Sequence, residues 1–126
     1  MKTFKPVFAL VILLGTSLLF ACHDDDVKDC GVTNPAEELE WFKAKAQAAE
    51  NSGEMTKYIY CMQGDYKNQR VYIWADCCPV CNTMVLVYDC AGNELGRLGG
   101  GEGGIDPEAI KKKTVVWKTS TNVCNL

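Results

Sequence analysis

The residues best suited to chemistry are two cysteines separated by two residues, Cys78 and Cys81. Such a pair can exchange a disulfide with another protein when a helix N-terminus lowers the pKa of the first thiol. Residues 82–88 instead have the alternation of a strand, and Cys77 adds a third thiol beside the pair. Structural bridging is therefore the preferred interpretation, and a thiol–disulfide oxidoreductase that uses Cys78 and Cys81 is the alternative.

A zinc site is the second chemistry that these cysteines suggest, with Cys90 as a further ligand. Structural zinc sites usually take their thiolate or imidazole ligands from two paired knuckles, and only one is present here. Thiols outside the cytoplasm are also normally oxidised. We therefore expect no bound metal.

Gly99, Gly101 and Gly104 have the spacing of a dinucleotide-binding fingerprint. That motif works between a parallel strand and a long helix, and the segment after Asp106 is too short for such a crossover. A glycine-rich loop against the sheet is the better interpretation, and we expect no cofactor.

The remaining side chains offer no familiar catalytic set. His23 is the only histidine and lies near the N-terminus, outside the predicted domain, which argues against Ser–His and Cys–His mechanisms. The carboxylates are scattered over predicted caps, turns and helix faces, where solvated charge is their expected role: Glu37, Glu38, Glu40, Asp65, Asp76, Asp89 and Glu94. The sequence thus favours a protein that is not an enzyme.

The N-terminus has the layout of an export signal. Lys2 and Lys5 precede fourteen uncharged residues, 7–20, a run that is too short to span a bilayer as a mature helix. Ala21 and Cys22 at its end resemble the lipobox of bacterial lipoproteins, in which the cysteine is acylated before cleavage. We expect a signal peptide at residues 1–21 and a lipid on Cys22 that makes the membrane a partner. The alternative is an ordinary signal peptide cleaved nearby, with Cys22 left as a spare thiol.

An acidic run, Asp24 to Asp26, follows the lipid site. With no apolar residue to bury, it predicts a solvated tether at residues 22–29, followed by one small domain at residues 30–126. The run also resembles the acidic export signal of Bacteroidota surface lipoproteins. This resemblance implies an outer-membrane protein on the cell surface, with the periplasmic face as the alternative.

Charge argues against a nucleic-acid partner. Without Lys2 and Lys5, the 13 basic residues become 11 against 16 acidic residues, a net charge of −5. A phosphate backbone requires the opposite sign.

Cysteine content predicts a disulfide framework, because bridges supplement the core of a domain this small. Apart from Cys22, the disulfide candidates are Cys30, Cys61, Cys77, Cys78, Cys81, Cys90 and Cys124. Their number is odd, so at least one stays unpaired within the chain. We expect Cys30 to pair with Cys124, and either Cys77 or Cys78 to pair with Cys90.

Hydrophobic periodicity predicts an α+β fold. A helix over residues 34–51 begins with Asn34 as its cap, has Glu37 reaching back, and ends before Gly53. Strands are predicted at residues 58–62, 71–75, 84–88, 95–98 and 114–119, with a short helical turn at residues 106–108. One N-terminal helix would thus pack on a four- to five-stranded, mainly antiparallel sheet stabilised by disulfides.

Aromatic residues on the first two strands suggest a binding surface. If Tyr58 and Tyr60 share a face with Tyr72 and Trp74, that face would be aromatic, and the opposite face would carry Ile59, Cys61, Val71 and Ile73. One face must cover the helix, so the other could contact a protein or glycan partner. Cross-strand packing within the core is the alternative.

The order of these motifs resembles a family of short, uncharacterised Bacteroidota lipoproteins. The resemblance rests on the helix, the aromatic hairpin, the paired cysteines Cys77 and Cys78, residues 86–93 (LVYDCAGN) and the glycine-rich loop. This chain departs from the family in Cys81 and in residues 105–126 after the glycines. The family implies no known activity. The expectation is a membrane-anchored, extracytoplasmic binding or interaction module, of which a small disulfide-rich inhibitor is a sharper version.

Overall fold

A computed structural model describes residues 27–126. The predicted signal peptide at 1–21, the lipid site Cys22 and residues 23–26 lie outside the described residues. Lys28, which the sequence assigns to the tether, already belongs to the fold: its backbone N–H donates to Asn68 O and its carbonyl accepts from Arg70 N–H, each at 2.9 Å. The chain therefore joins the sheet two residues before Cys30.

The segment predicted as one helix forms two, α1 (Pro35–Glu38) and α2 (Glu40–Glu50), separated by Leu39 in an extended conformation. The break lets Leu39 pack against the buried cluster that contains Phe42. The predicted cap is wrong in its details. Asn34 makes no side-chain cap, and Glu38 rather than Glu37 reaches back, accepting from the backbone N–H groups of Thr33 at 2.8 Å and Asn34 at 2.6 Å.

Five antiparallel strands form one sheet in the order β4-β3-β2-β1-β5. The strands are β1 (Ile59–Tyr66), β2 (Gln69–Asp76), β3 (Leu86–Tyr88), β4 (Glu94–Arg97) and β5 (Lys111–Lys118). The 3₁₀ segments Gly53–Tyr58, of two turns, and Pro107–Ala109, of one turn, precede β1 and β5. The α+β class and the antiparallel sheet are confirmed.

The β1–β2 turn is shorter than the gap between the predicted strands at residues 58–62 and 71–75. It contains Lys67 and Asn68, whose φ angles of 47° and 59° are those of a two-residue type I′ hairpin turn. Both strands consequently extend further than the sequence pattern indicates.

One face of the sheet is covered by α2. Phe42 and Ala46 of the helix are buried against Cys61 of β1 and Tyr72 of β2. Burial of this apolar stripe positions the helix.

The other face is covered by the segment after β4. Ile105 and Ile110 pack on Val71, Ile73 and Val87, and all five side chains are at most 5% exposed. The glycine-rich stretch that carries no dinucleotide motif therefore has a packing role: it brings Ile105 over the sheet. None of the helices in residues 27–126 is long and apolar enough to cross a membrane.

Candidate binding surface

The four aromatic residues predicted as a binding surface do not share a face. Across the β1–β2 ladder, Cys61 lies opposite Trp74 and Tyr60 lies opposite Ala75. Directly opposed residues point to the same side of a sheet. Tyr60 therefore lies on the side of Ala75, Tyr72 and Trp74 lie on the helix side, and Tyr58 precedes the strand. The expectation of a common face is wrong. Successive side chains of a strand point to opposite faces, and the observed register pairs Cys61, not Tyr60, with Trp74.

The aromatic side chains on the helix side form core packing. Tyr72 is only 1% exposed, and its ring lies 5.5 Å from Phe42 and 5.7 Å from Trp41 in edge-on contacts. Burial raises the pKa of Tyr72 to about 12. Lys45 of α2 lies over the Tyr88 ring at 4.7 Å and covers the outer side of this cluster.

Cys61 is the free thiol among the described residues and is fully buried. It lies between Trp74 of β2 and Trp117 of β5, whose rings stack at 5.3 Å. Burial raises the pKa of this thiol well above its usual range. Cys61 thus acts as a small core residue with an inert sulfur.

Three disulfides join the remaining cysteines in pairs that differ from both expected pairings. Cys30 bonds to Cys90, Cys77 to Cys124, and Cys78 to Cys81. The expected Cys30–Cys124 bridge is wrong because the segment after Lys28 runs along the end of the sheet where Cys90 lies, whereas β5 carries the chain to the opposite end. Neither Cys77 nor Cys78 reaches Cys90, since β2 points them away from it.

The connection between β2 and β3, residues 77–85, will be called the distal loop. It is fastened at Cys77 to the C-terminal segment and closed on itself by Cys78–Cys81. The Asp76 carboxylate also accepts hydrogen bonds from the Cys78 backbone at 3.0 Å and from the Thr83 hydroxyl. These crosslinks hold in one shape a loop that lacks regular secondary structure.

Apolar side chains project from the distal loop into solvent. Val80 is 91% exposed and Met84 is 67% exposed. Under the loop lies an open cavity of about 300 Å³, lined by Met55, Ile59 and Trp74 together with the loop residues Thr83 and Met84. The exposed Val80 at the tip of the distal loop thus lies beside a shallow apolar cavity.

Thiol chemistry at Cys78 and Cys81 lacks its usual activator. The next helical turn along the described chain is the 3₁₀ segment Pro107–Ala109, so no helix begins at Cys78. Ligand atoms of Asp76, Cys78 and Cys81 lie within 4.8 Å of one another, and a carboxylate at this distance opposes formation of a thiolate. While the two sulfurs are bonded together, they supply no thiolate ligand to a metal, and Cys90 is bonded to Cys30.

Exposed apolar residues gather at one end of the sheet. Lys28 enters beside the β1–β2 turn, whereas Cys77 and Cys124 lie at the other end of these eight-residue strands, about 23 Å away. We call the apolar residues at that far end the distal surface: the exposed Val80, Met84 and Val123 and the half-buried Met55. Val123 is 64% exposed and precedes Cys124.

Sequence reasoning missed the distal surface because its members are single apolar residues in a loop, a 3₁₀ segment and a tail, without periodicity. One signal was available. Val80 lies between Pro79 and Cys81, where a short bridged turn forces the middle side chain outward. Comparison with family models, curated proteins and solved structures finds no match for this chain.

Proposed function

We propose that this protein is an outer-membrane lipoprotein, anchored through Cys22, whose domain is a non-enzymatic module that binds another protein with its distal surface. The observation that carries the proposal is the gathering of exposed apolar side chains at the end of the sheet opposite Lys28. Met55 and Met84 line one open cavity, and contiguous apolar area of this kind is characteristic of an interaction site.

The point at which the chain enters the sheet supports the proposal that the distal loop faces away from the membrane. Five residues lie between Cys22 and Lys28, so the two Cα atoms are at most about 22 Å apart when the chain is fully extended. A lipid on Cys22 would hold the β1–β2 end toward the membrane and leave the distal loop pointing outward. The acidic run Asp24 to Asp26 supports placement on the cell surface, and the periplasmic face is the alternative.

The shape and rigidity of the distal loop support a protein partner with a concave site. Val80 stands at the tip, so its burial requires a pocket on the other molecule. The Cys78–Cys81 bridge and the Asp76 hydrogen bonds order the loop before binding, which reduces the entropy lost on association. An inhibitor that inserts this loop into the cleft of an enzyme is the sharper form of the proposal.

Photo-crosslinking in the producing cells tests the interaction. A photoreactive amino acid at position 80 or 84 should give adducts with one discrete partner, because both side chains are exposed on the proposed surface. The same amino acid at Glu37, an exposed position of α1, serves as the control and should give none. Equal adducts at all three positions, or none at any, would contradict the proposal.

A charge substitution at the loop tip then tests the role of Val80. Val80→Asp should weaken binding to the purified partner at least tenfold while leaving the melting temperature unchanged, because the side chain is exposed in the free protein. Glu37→Lys is the control and should leave the affinity unchanged. Unchanged binding by Val80→Asp would remove the loop tip from the interface.

Anchoring is tested separately. Mass spectrometry of the native protein should find Cys22 as an acylated N-terminal residue, and Cys22→Ser should release the protein from the membrane fraction. Digestion of intact cells by an added protease distinguishes the outer surface from the periplasmic face. An unacylated chain that retains residues 1–21 would contradict the anchor.

The reduction potential of Cys78–Cys81 tests the oxidoreductase alternative. A structural bridge should have a strongly reducing potential, below about −300 mV, and Cys78 should react slowly with alkylating reagents after selective reduction. A potential near those of disulfide-exchange proteins, together with a low thiol pKa, would favour the alternative.

A further inference from the structure

The outer edge of β5 is a second surface with a distinct chemistry. β5 is the last strand in the sheet order and pairs with β1 on one side only among residues 27–126. The backbone groups on the other side of an edge strand are available to another extended chain. At eight residues, β5 is twice as long as the opposite edge strand β4.

Lysine side chains lie at both ends of this edge, and apolar side chains lie between them. Lysines 111, 112 and 113 and Lys118 flank the central residues Val115, Val116 and Trp117. An open groove of about 440 Å³ runs along Val115–Lys118 and is closed on one side by Leu126, which is 53% exposed.

The lysines of β5 carry uncompensated charge. Ion pairs among the described residues involve Lys57 and Arg70 and include none of these four lysines. Lys111 and Lys113 donate instead to the backbone carbonyls of Glu108 and Pro107. The edge is therefore basic at both ends and apolar in the middle.

A second copy of this chain is a poor occupant. When two β5 strands are aligned antiparallel over their full length, Lys111 lies opposite Lys118, and a parallel alignment brings like lysines together at every position. Like charges directly opposed across strands are destabilising. The register shifts against β1 at Cys61/Met62 and Gln63/Asp65 divide the ladder into short stretches, so this edge can pair with a short segment but not with a second full-length β5 strand.

The positively charged lysines of β5 favour a partner strand that carries acidic residues. We infer that β5 binds, by strand addition, an extended segment of another protein that has an apolar centre flanked by aspartate or glutamate. Backbone hydrogen bonds to the β5 edge provide pairing, the Val115–Trp117 groove takes an apolar side chain, and the lysines bind the acidic flanks. This site is separate from the distal surface, so a failed crosslink at Val80 leaves it standing.

Fluorescence anisotropy with synthetic peptides tests the inference on the acylated protein in detergent. The probe is a labelled peptide of sequence EEVIVEE, compared with KKVIVKK and with EEVIVEE methylated at alternate backbone nitrogens. The acidic peptide should bind, and the basic peptide should not. Methylation should reduce binding at least tenfold, because it removes backbone donors without changing charge.

Two triple variants of equal charge locate the site. Lys111→Gln, Lys112→Gln and Lys113→Gln together should weaken binding of the acidic peptide at least tenfold. Lys28→Gln, Lys43→Gln and Lys67→Gln remove three exposed lysines away from this edge and should change binding less than threefold.

Four results would overturn the inference. These are no binding of the acidic peptide, equal binding of its methylated form, equal loss in both triple variants, and binding that appears only after Asp24, Asp25 and Asp26 are changed to Asn. The last result would mean that the acidic run of the same chain occupies the edge.

Discussion

Gly92 lies in close contact with the ring of Trp41. A Cβ at Gly92 would lie 2.6 Å from Trp41 Cγ, and Gly92 has a φ of +84°, which L side chains rarely adopt. The indole N–H of Trp41 donates to Cys90 O at 2.9 Å, so the ring cannot easily move away. A glycine and a tryptophan thus fix the contact between α2 and the β3–β4 turn.

Gly92→Ala should destabilise the fold by about 2–4 kcal/mol, because it combines a backbone penalty with overpacking against Trp41. Urea unfolding followed by tryptophan fluorescence measures the change. Gly53→Ala is the control: Gly53 also has a positive φ, but a Cβ there meets no atom within 4 Å, so the loss should be smaller. Equal losses would mean that the Trp41 contact contributes nothing.

Tyr72 should make the protein sensitive to alkali. Burial raises its pKa to about 12 in the folded state, against about 10 in the unfolded chain. Between these values the unfolded chain ionises and the folded protein does not, so stability present below pH 10 is lost as pH rises toward 12. Tyr72→Phe should flatten the fall in unfolding free energy over this range, whereas Tyr66→Phe should not. An unchanged slope in Tyr72→Phe would contradict this.

The disulfides differ in the length of chain that they close. Cys30–Cys90 spans 60 residues and Cys78–Cys81 spans three. In the chain-entropy model, stabilisation grows with the closed loop, to about 4 kcal/mol for the longer bridge and about 2 kcal/mol for the shorter.

Replacing Cys30 and Cys90 together by alanine should therefore lower stability more than replacing Cys78 and Cys81 together. The free energies of unfolding in urea provide the comparison, and non-reducing peptide maps confirm that the other two bridges persist. A larger loss in the Cys78/Cys81 variant would show that local structure of the distal loop outweighs chain entropy.

The strands were predictable because alternation and β-branched residues are local signals. The sequence predicts the order of the strands along the chain, the hairpin and the 3₁₀ turn near Pro107. The observed strand ends differ from the predicted ends by a few residues. The break at Leu39 was not predictable, since it depends on a tertiary contact with the Phe42 cluster.

The candidate surfaces were harder to predict than the strands. A register error of one residue moved Tyr60 to the wrong face, and periodicity alone does not determine which residues of two strands lie opposite one another. Disulfide partners likewise depend on where strand ends meet in space. The presence of one spare cysteine was predictable by counting, but the burial of Cys61 was not.

Two layers of side chains, one on each face of the sheet, hold the whole molecule together. Phe42 is buried on one face, and Ile105 is 5% exposed on the other. The second layer depends on a segment with little regular structure, residues 99–110, which closes over Val71 and Val87. A domain of about 100 residues has few alternative sources of buried area.

Ile105→Ala should consequently lower stability by about 2–5 kcal/mol, the range for a buried large-to-small change. Leu95→Ala is the control, because Leu95 is 37% exposed, and should lower stability by less than Ile105→Ala does. Chemical denaturation measures both. A small effect at Ile105 would show that the loop contributes little to the core.

The sealed position of Cys61 has a consequence for how molecules of this protein age. While Phe42, Trp74 and Trp117 enclose its sulfur, residues 27–126 of the folded protein offer no accessible attacking thiol, and the three bridges cannot reshuffle through Cys61. Once the chain opens, the same sulfur can attack a bridge of a neighbouring molecule. Covalent multimers joined through Cys61 would therefore be products of earlier unfolding and not of native assembly.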